Sequence, residues 1–104
     1  MHDVTMRHDA RKKITYKTRA IIPVHYASSS KGMDNVYDFA REFNLRVIED
    51  AAQGFGCLRN NKKIGQEGDI ICFSFDGVKN ITSGEGGAIL SNDLDFMQKV
   101  KDAR

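Results

Sequence analysis

The sequence has no tryptophan, one proline and two cysteines, and none of its apolar runs approaches the length of a membrane span. Each shortage excludes something. Cys57 and Cys72 stand apart, with no CxxC pair and no histidine at ligand spacing, so neither a disulfide framework nor a zinc site is predicted. A reducing cytoplasm is the expected compartment. Met1 to Arg19 is polar throughout, which predicts no secretory leader, and without a long apolar stretch no membrane span is predicted. Charge of one sign is also scarce: the net charge is +2, and the excess gathers at Arg7, Arg11, Lys12, Lys13, Lys17 and Arg19. No nucleic-acid partner is predicted from so small an excess, and residues 1–19 read as a basic, polar segment that is solvated and partly frayed.

What is present is enough for one domain. The chain has 104 residues, 40% hydrophobic and 29% charged, which suits a single modest core. Strand and helix signals alternate along it. Ala20 to Val24 is a β-branched apolar run expected to be a parallel strand buried on both faces, with Pro23 near its end. After the polar loop Ser28 to Gly32, apolar residues recur at Met33, Val36, Tyr37, Ala40 and Phe43, the spacing of one helix face. Asn44 is a plausible stop, and Leu45 to Ile48 is a second strand that runs into Glu49 and Asp50. These three elements make a βαβ unit. A hairpin is expected over residues 56–64 around Asn60 and Asn61, a strand over residues 70–75 and another over residues 88–90. Asn92 is the expected cap of a last helix with Leu94, Met97 and Val100 on one side. The fold class is α/β with a mostly parallel sheet and flanking helices, and in such sheets ligands gather at the carboxyl ends of the strands.

That rule picks out Asp50 at the end of the second strand, and Ser74 and Lys79 at and beyond the end of the third, within the stretch FSFDGVKN. A lysine amine condenses with aldehydes, a carboxylate keeps a heterocyclic nitrogen protonated, and a hydroxyl donates to a phosphate. Together these are the needs of pyridoxal phosphate. On spacing alone a plainer reading stands beside this one: a turn-capping Asp, a packing Ser and a solvated Lys. His25 is expected to be a hydrogen-bonded structural residue, not an acid or base. The run Ser83 to Gly87 has neither dinucleotide nor Walker spacing and precedes a strand, so its glycines are expected to let the backbone pass close by.

The segments AIIPVHY, VIEDAAQGFG, KKIGQEGDIICFSF and the lysine followed by GEGGAILSND resemble, in order and interval, the central part of the DegT/DnrJ/EryC1/StrS family. This resemblance implies the large domain of a fold type I, pyridoxal-phosphate-dependent aminotransferase acting on nucleotide-linked keto-sugars. It implies that Asp50 pairs with the pyridine nitrogen, Gln53 contacts the phenolic oxygen or ring, Ser74 binds the phosphate, and Lys79 forms the Schiff base and moves the proton. Implied partners are a nucleotide-sugar substrate, an amino-acid donor such as glutamate, and a second copy of the chain in a homodimer. Residues 20–104 correspond to the central part of the cofactor-binding domain. The family's N-terminal phosphate loop and C-terminal small domain are expected to lie outside this chain. Locally, YASSS at residues 26–30 replaces a glycine-containing loop, and Gly77-Val78 stands where Pro-Thr is common. The alternative expectation is a truncated, non-catalytic α/β remnant or interaction module.

Overall fold

A computed structural model describes residues 2–26 and 30–104, with side chains from Arg7 onward. The elements run α1 (His2–Lys13), β1 (Ala20–Ile21), α2 (Met33–Glu42), β2 (Arg46–Asp50), β3 (Leu58–Arg59), β4 (Lys62–Lys63), β5 (Ile70–Ser74), β6 (Gly87–Ser91) and α3 (Leu94–Asp102). Strands β1, β2, β5 and β6 form one sheet in that order. The first two junctions are parallel and the β5–β6 junction is antiparallel. The sheet is mostly parallel, as its sequence pattern implies.

The βαβ unit forms because the apolar face of α2 has a strand to cover. Met33, Val36 and Ala40 pack with Val47 of β2, and Ile21, Tyr37 and Leu45 close around them. Asn44 takes a left-handed conformation, φ 52°, which a short amide side chain tolerates and which turns the chain out of the helix. A second cluster of Ala51, Ile71 and Phe73, flanked by Ile64, Phe75 and Ala88, continues the core toward the strand ends. The expected hairpin is present as β3 and β4. Asn60 and Asn61 both have positive φ, 51° and 63°, the geometry of a two-residue turn whose twist matches its strands.

Four expectations need correcting. The basic N-terminal segment is not frayed over residues 2–13 but helical, because Arg7 and Arg11, one turn apart, both reach Glu42 at the end of α2. Arg11 also lies over the Phe43 ring, 5.1 Å from its centroid. Phe39, off the predicted apolar stripe, is fully buried, and it lines a cavity with Arg7, Ala10 and Ile21 between α1, α2 and β1. The first strand is not buried on both faces. Its ladder ends at Ile21, Pro23 offers no N–H, and Ile22 and Val24 are 62% and 60% exposed. The cap of α3 is Asp93, whose carboxylate accepts from Phe96 N at 2.9 Å, one residue beyond Asn92. The loop assigned to residues 28–32 falls partly on residues 27–29, outside the described part of the chain.

Helix α3 has no buried residue and is held to the sheet through Arg46. That guanidinium forms a fork with Asp69, at 2.7 and 2.6 Å, reaches Asp93 at 3.1 Å, and lies over Phe96. Among the described residues no helix is long and apolar enough to cross a membrane.

Candidate active site

Two of the functional candidates, Asp50 and Ser74, lie at the carboxyl ends of β2 and β5, which are parallel neighbours, while Gln53 and Lys79 lie in the loops that follow those strands. Asp50 lies opposite Cys72 in the β2–β5 register, and paired residues share a face of the sheet. Ser74, two residues beyond Cys72, faces the same way. Glu49 and Ile71, also paired, face the other way, toward α2. Asp50, Cys72 and Ser74 therefore form a half-buried row on the side away from α2. Val24, bridged to Asp50, extends that row toward the sheet edge.

Asp50 and Ser74 are each tied down locally. The Asp50 carboxylate accepts from Ala52 N at 3.1 Å, which turns the chain sharply after β2. Gln53 lies exposed in that turn. Ser74 Oγ accepts from Asp76 N at 3.4 Å. Lys79 is half-buried in the following loop, its N–H donating to Asp76 O at 2.9 Å. The neck of this loop is closed on Phe75, whose N–H donates to Gly86 O and whose carbonyl accepts from Ser83 N and the Thr82 hydroxyl. The glycine run serves close approach: a Cβ on Gly87 would lie 2.8 Å from Phe73 O, so only glycine lets β6 meet β5 there. Burial, with the charge of Asp50 adding to it, pushes the Cys72 thiol up.

Behind the row is a buried polar cluster that the sequence motifs did not reveal. Glu49 is 1% exposed, and its carboxylate accepts from three donors: His25 Nε2 at 2.6 Å, Tyr37 Oη at 2.6 Å and Arg59 Nη1 at 3.3 Å. The Tyr37 oxygen in turn accepts from Asp69 N at 2.9 Å. Arg59 lies over the Tyr37 ring, 5.2 Å from its centroid. Gly68 is packed so tightly against this cluster that a Cβ would stand 2.7 Å from Tyr37 Oη and 2.8 Å from Glu49 Oε1, at a φ of 127° that disfavours a side chain. His25 is buried and hydrogen-bonded, in keeping with its expected structural role. The clue to the cluster was in the alternation of β2, where Glu49 follows Val47 on the buried phase.

Burial pushes the Glu49 carboxyl up, but the hydrogen bonds from His25 and Tyr37 and the charge of Arg59 outweigh it, leaving the group below the ordinary carboxylate range. Burial and the bond to Glu49 raise the Tyr37 phenol, which stays neutral and donates. Asp69 is also lowered, chiefly by its fork with Arg46. A carboxylate held low in the folded chain stabilises it above the ordinary carboxylate pKa, and that stability is lost as pH falls through the lowered value. The urea midpoint is therefore expected to be steady near neutrality and to fall below about pH 4.5. Glu49→Gln and Asp69→Asn should each start lower at pH 7 and show a shallower acid slope. Equal slopes in the parent and both variants would show that these carboxylates are not held low.

The carboxylate and hydroxyl of the open row and the amine of the loop beyond it match the chemistry of one cofactor. A carboxylate suits a pyridinium N–H, a hydroxyl suits a phosphate, and a primary amine suits an aldehyde. Pyridoxal phosphate carries all three, and its needs fit the residues present.

The sequence profile of the DegT/DnrJ/EryC1/StrS aminotransferase family matches residues 4–104. A GDP-perosamine synthase of Caulobacter vibrioides is 48% identical over 88 residues, covering 85% of this chain and 24% of that protein. Helicobacter pylori PseC, an aminotransferase involved in the biosynthesis of pseudoaminic acid, superposes with a TM-score of 0.84 at 33% identity, over 91% of this chain and 26% of the other. NtdA from Bacillus subtilis with bound cofactor PMP superposes with a TM-score of 0.75 at 33% identity, over 86% of this chain and 20% of the other. The chain spans about a quarter of the length of the curated relatives it matches. It belongs to the DegT/DnrJ/EryC1/StrS aminotransferase family, whose enzymes depend on pyridoxal phosphate.

Proposed function

We propose that this chain is the part of a sugar aminotransferase that forms the floor of its cofactor site, and that the reaction moves an amino group from glutamate to a nucleotide-linked keto-sugar. The observation that carries this reading is the β2–β5 register, which aligns Asp50 with Cys72 and so sets Ser74 on the same face. The cofactor, when bound, supplies an electron sink for breaking the bond at the substrate carbon. The chain's own residues do the rest. The Asp50 carboxylate accepts the ring N–H and keeps that nitrogen protonated. Ser74 Oγ would donate to the phosphate, and the Gln53 amide would contact the phenolic oxygen or the ring. Lys79 would hold the cofactor covalently through Nζ, the aldehyde oxygen leaving as water, and as a free amine would carry the proton to and from the substrate carbon. The sugar and donor follow from the family resemblance, and the GDP-perosamine synthase relative supports the nucleotide-sugar part. A homodimer, with the open face of the sheet completed by further protein, and a cytoplasmic setting suited to free thiols belong to the same reading.

The test is to titrate the purified chain with pyridoxal phosphate, follow the yellow absorbance, reduce with borohydride and map the modified peptide. One equivalent of label on Lys79 is expected. Label scattered over surface lysines with Lys79 unmarked would defeat the reading and leave a non-catalytic module.

A further inference from the structure

The end of β2 is paired to β5 through Asp50 and Cys72, but on its β1 side the regular ladder has run out. Regular β1–β2 pairing stops at Ile21 and Val47, and Pro23 has no N–H to continue it. At the height of Asp50 only an isolated bridge remains, in which Asp50 N donates to Pro23 O and Asp50 O accepts from His25 N, both at 2.9 Å. The His25 side chain returns to the neighbouring residue of the same strand through Nε2 and Glu49 Oε2. Residues 25, 49 and 50 therefore form a closed ring of contacts, with Asp50 held by its backbone and Glu49 by its side chain.

Glu49 also gathers donors from three separate elements onto one carboxylate. Its donors come from the end of the β1 segment, from α2 and from β3, and the tyrosine links onward to the entry of β5 through Asp69 N. The proton inventory is consistent: an ionised Glu49 requires the proton on His25 Nε2, and Tyr37 Oη both donates and accepts. His25 Nδ1 is buried and finds no partner among the described residues. A buried imidazole with one unmet nitrogen is costly, so the bond to Glu49 is what holds the ring there.

We propose that Glu49, gripped by His25, Tyr37 and Arg59, is a positioning residue for Asp50: it locks the end of β2 so that the Asp50 carboxylate keeps one direction on the open face. The functional meaning of this lock rests on the cofactor role given to Asp50 above, but the lock itself is measurable with no cofactor present. Glu49 touches neither cofactor nor substrate. It acts through the strand.

Cys72 supplies the reporter, since it faces Asp50 in register and its thiol feels that charge. In a Cys57→Ser background, the rate of Cys72 alkylation by iodoacetamide is followed across pH. Asp50→Asn removes the neighbouring charge and is expected to raise the rate near neutrality roughly two- to fivefold by increasing the thiolate fraction. Glu49→Gln should move it in the same direction by turning the carboxylate away, and the Asp50→Asn, Glu49→Gln double variant should react no faster than Asp50→Asn alone. Tyr37→Phe, which removes one donor and keeps the ring, is the milder variant should Glu49→Gln fail to fold. A Glu49→Gln or Tyr37→Phe rate equal to the parent overturns the proposal. Rate increases that multiply in the double variant overturn it too, because they report loosening of the strand and not placement of the carboxylate. If Asp50→Asn leaves Cys72 unmoved, the carboxylate is not where the lock would hold it, and the proposal falls. These outcomes are independent of whether Lys79 takes a cofactor label.

Discussion

Replacing Glu49 by alanine is expected to remove a large fraction of the chain's stability. The carboxylate is buried and accepts from His25, Tyr37 and Arg59. Taking it away leaves three donors facing one small void, one of them a guanidinium that is itself mostly out of water. Breaking a buried ionic cluster from one side costs about 3–5 kcal/mol, because the remaining charge loses its partner while its desolvation persists. A domain of this size is stable by only about 5–15 kcal/mol, so the loss is a large fraction of the whole. Glu49→Gln should be gentler, at about 1–2 kcal/mol, since the amide oxygen still accepts from Tyr37 and Arg59 while its NH₂ donates to His25 Nε2 once the imidazole proton moves to Nδ1. That tautomer change gives the now protonated Nδ1 an unpartnered N–H, which is one reason the swap is not neutral. Urea titrations of the three forms, read by far-ultraviolet circular dichroism, check the order. An alanine variant as stable as the glutamine variant would show that the cluster adds little beyond filling space.

How much of this was legible beforehand follows from the range over which each signal acts. Helix α2 was readable because its apolar residues recur at a fixed local period, and strands β2 and β5 because each is a short apolar run bounded by polar residues. The hairpin was readable because two consecutive asparagines favour positive φ. The row of Asp50 and Ser74 needed one further step, the adjacency of β2 and β5, which is a property of the sheet and not of either segment. Helix α1 escaped because nothing local marks it: its tether is Glu42, contacted by Arg7 and Arg11 from far away in the chain. Phe39 escaped for the same reason, since the surface that covers it belongs partly to α1. The Glu49 cluster draws on residues from four separate segments, none of which carries a recognisable spacing. A charge on the buried phase of a strand was its only trace, and the acidic pair Glu49-Asp50 drew attention to the second member alone. The open face was misjudged because a continuous apolar run looks the same whether one side or both are covered, as Ile22 and Val24 show.

Lys79→Arg should abolish the borohydride-stable label while leaving the fold intact. Lysine and arginine differ little in charge or reach, but a guanidinium remains protonated and does not condense with an aldehyde at neutral pH. Lys79 lies in a loop whose closure depends on backbone bonds at Phe75 and on its own N–H to Asp76 O, so the side chain can change without opening the neck. The label should therefore drop from one equivalent to background. Any phosphate affinity due to Ser74 and the loop amides should survive as weak, colourless binding, because those donors are untouched. Asp50→Asn provides the contrast. An amide does not hold the ring nitrogen protonated, but it leaves the lysine amine free to react, so label should still form at Lys79 with a cofactor affinity weaker by about tenfold, the loss of one charge-assisted hydrogen bond. The pair separates the two roles: one substitution removes the covalent bond and keeps the pocket, whereas the other keeps the bond and removes the charge that would meet the ring nitrogen. If Lys79→Arg retains stoichiometric label, the reacting amine is another lysine and the loop after β5 is not where the cofactor is held. If Asp50→Asn changes neither affinity nor colour, the carboxylate on β2 does not face the ring.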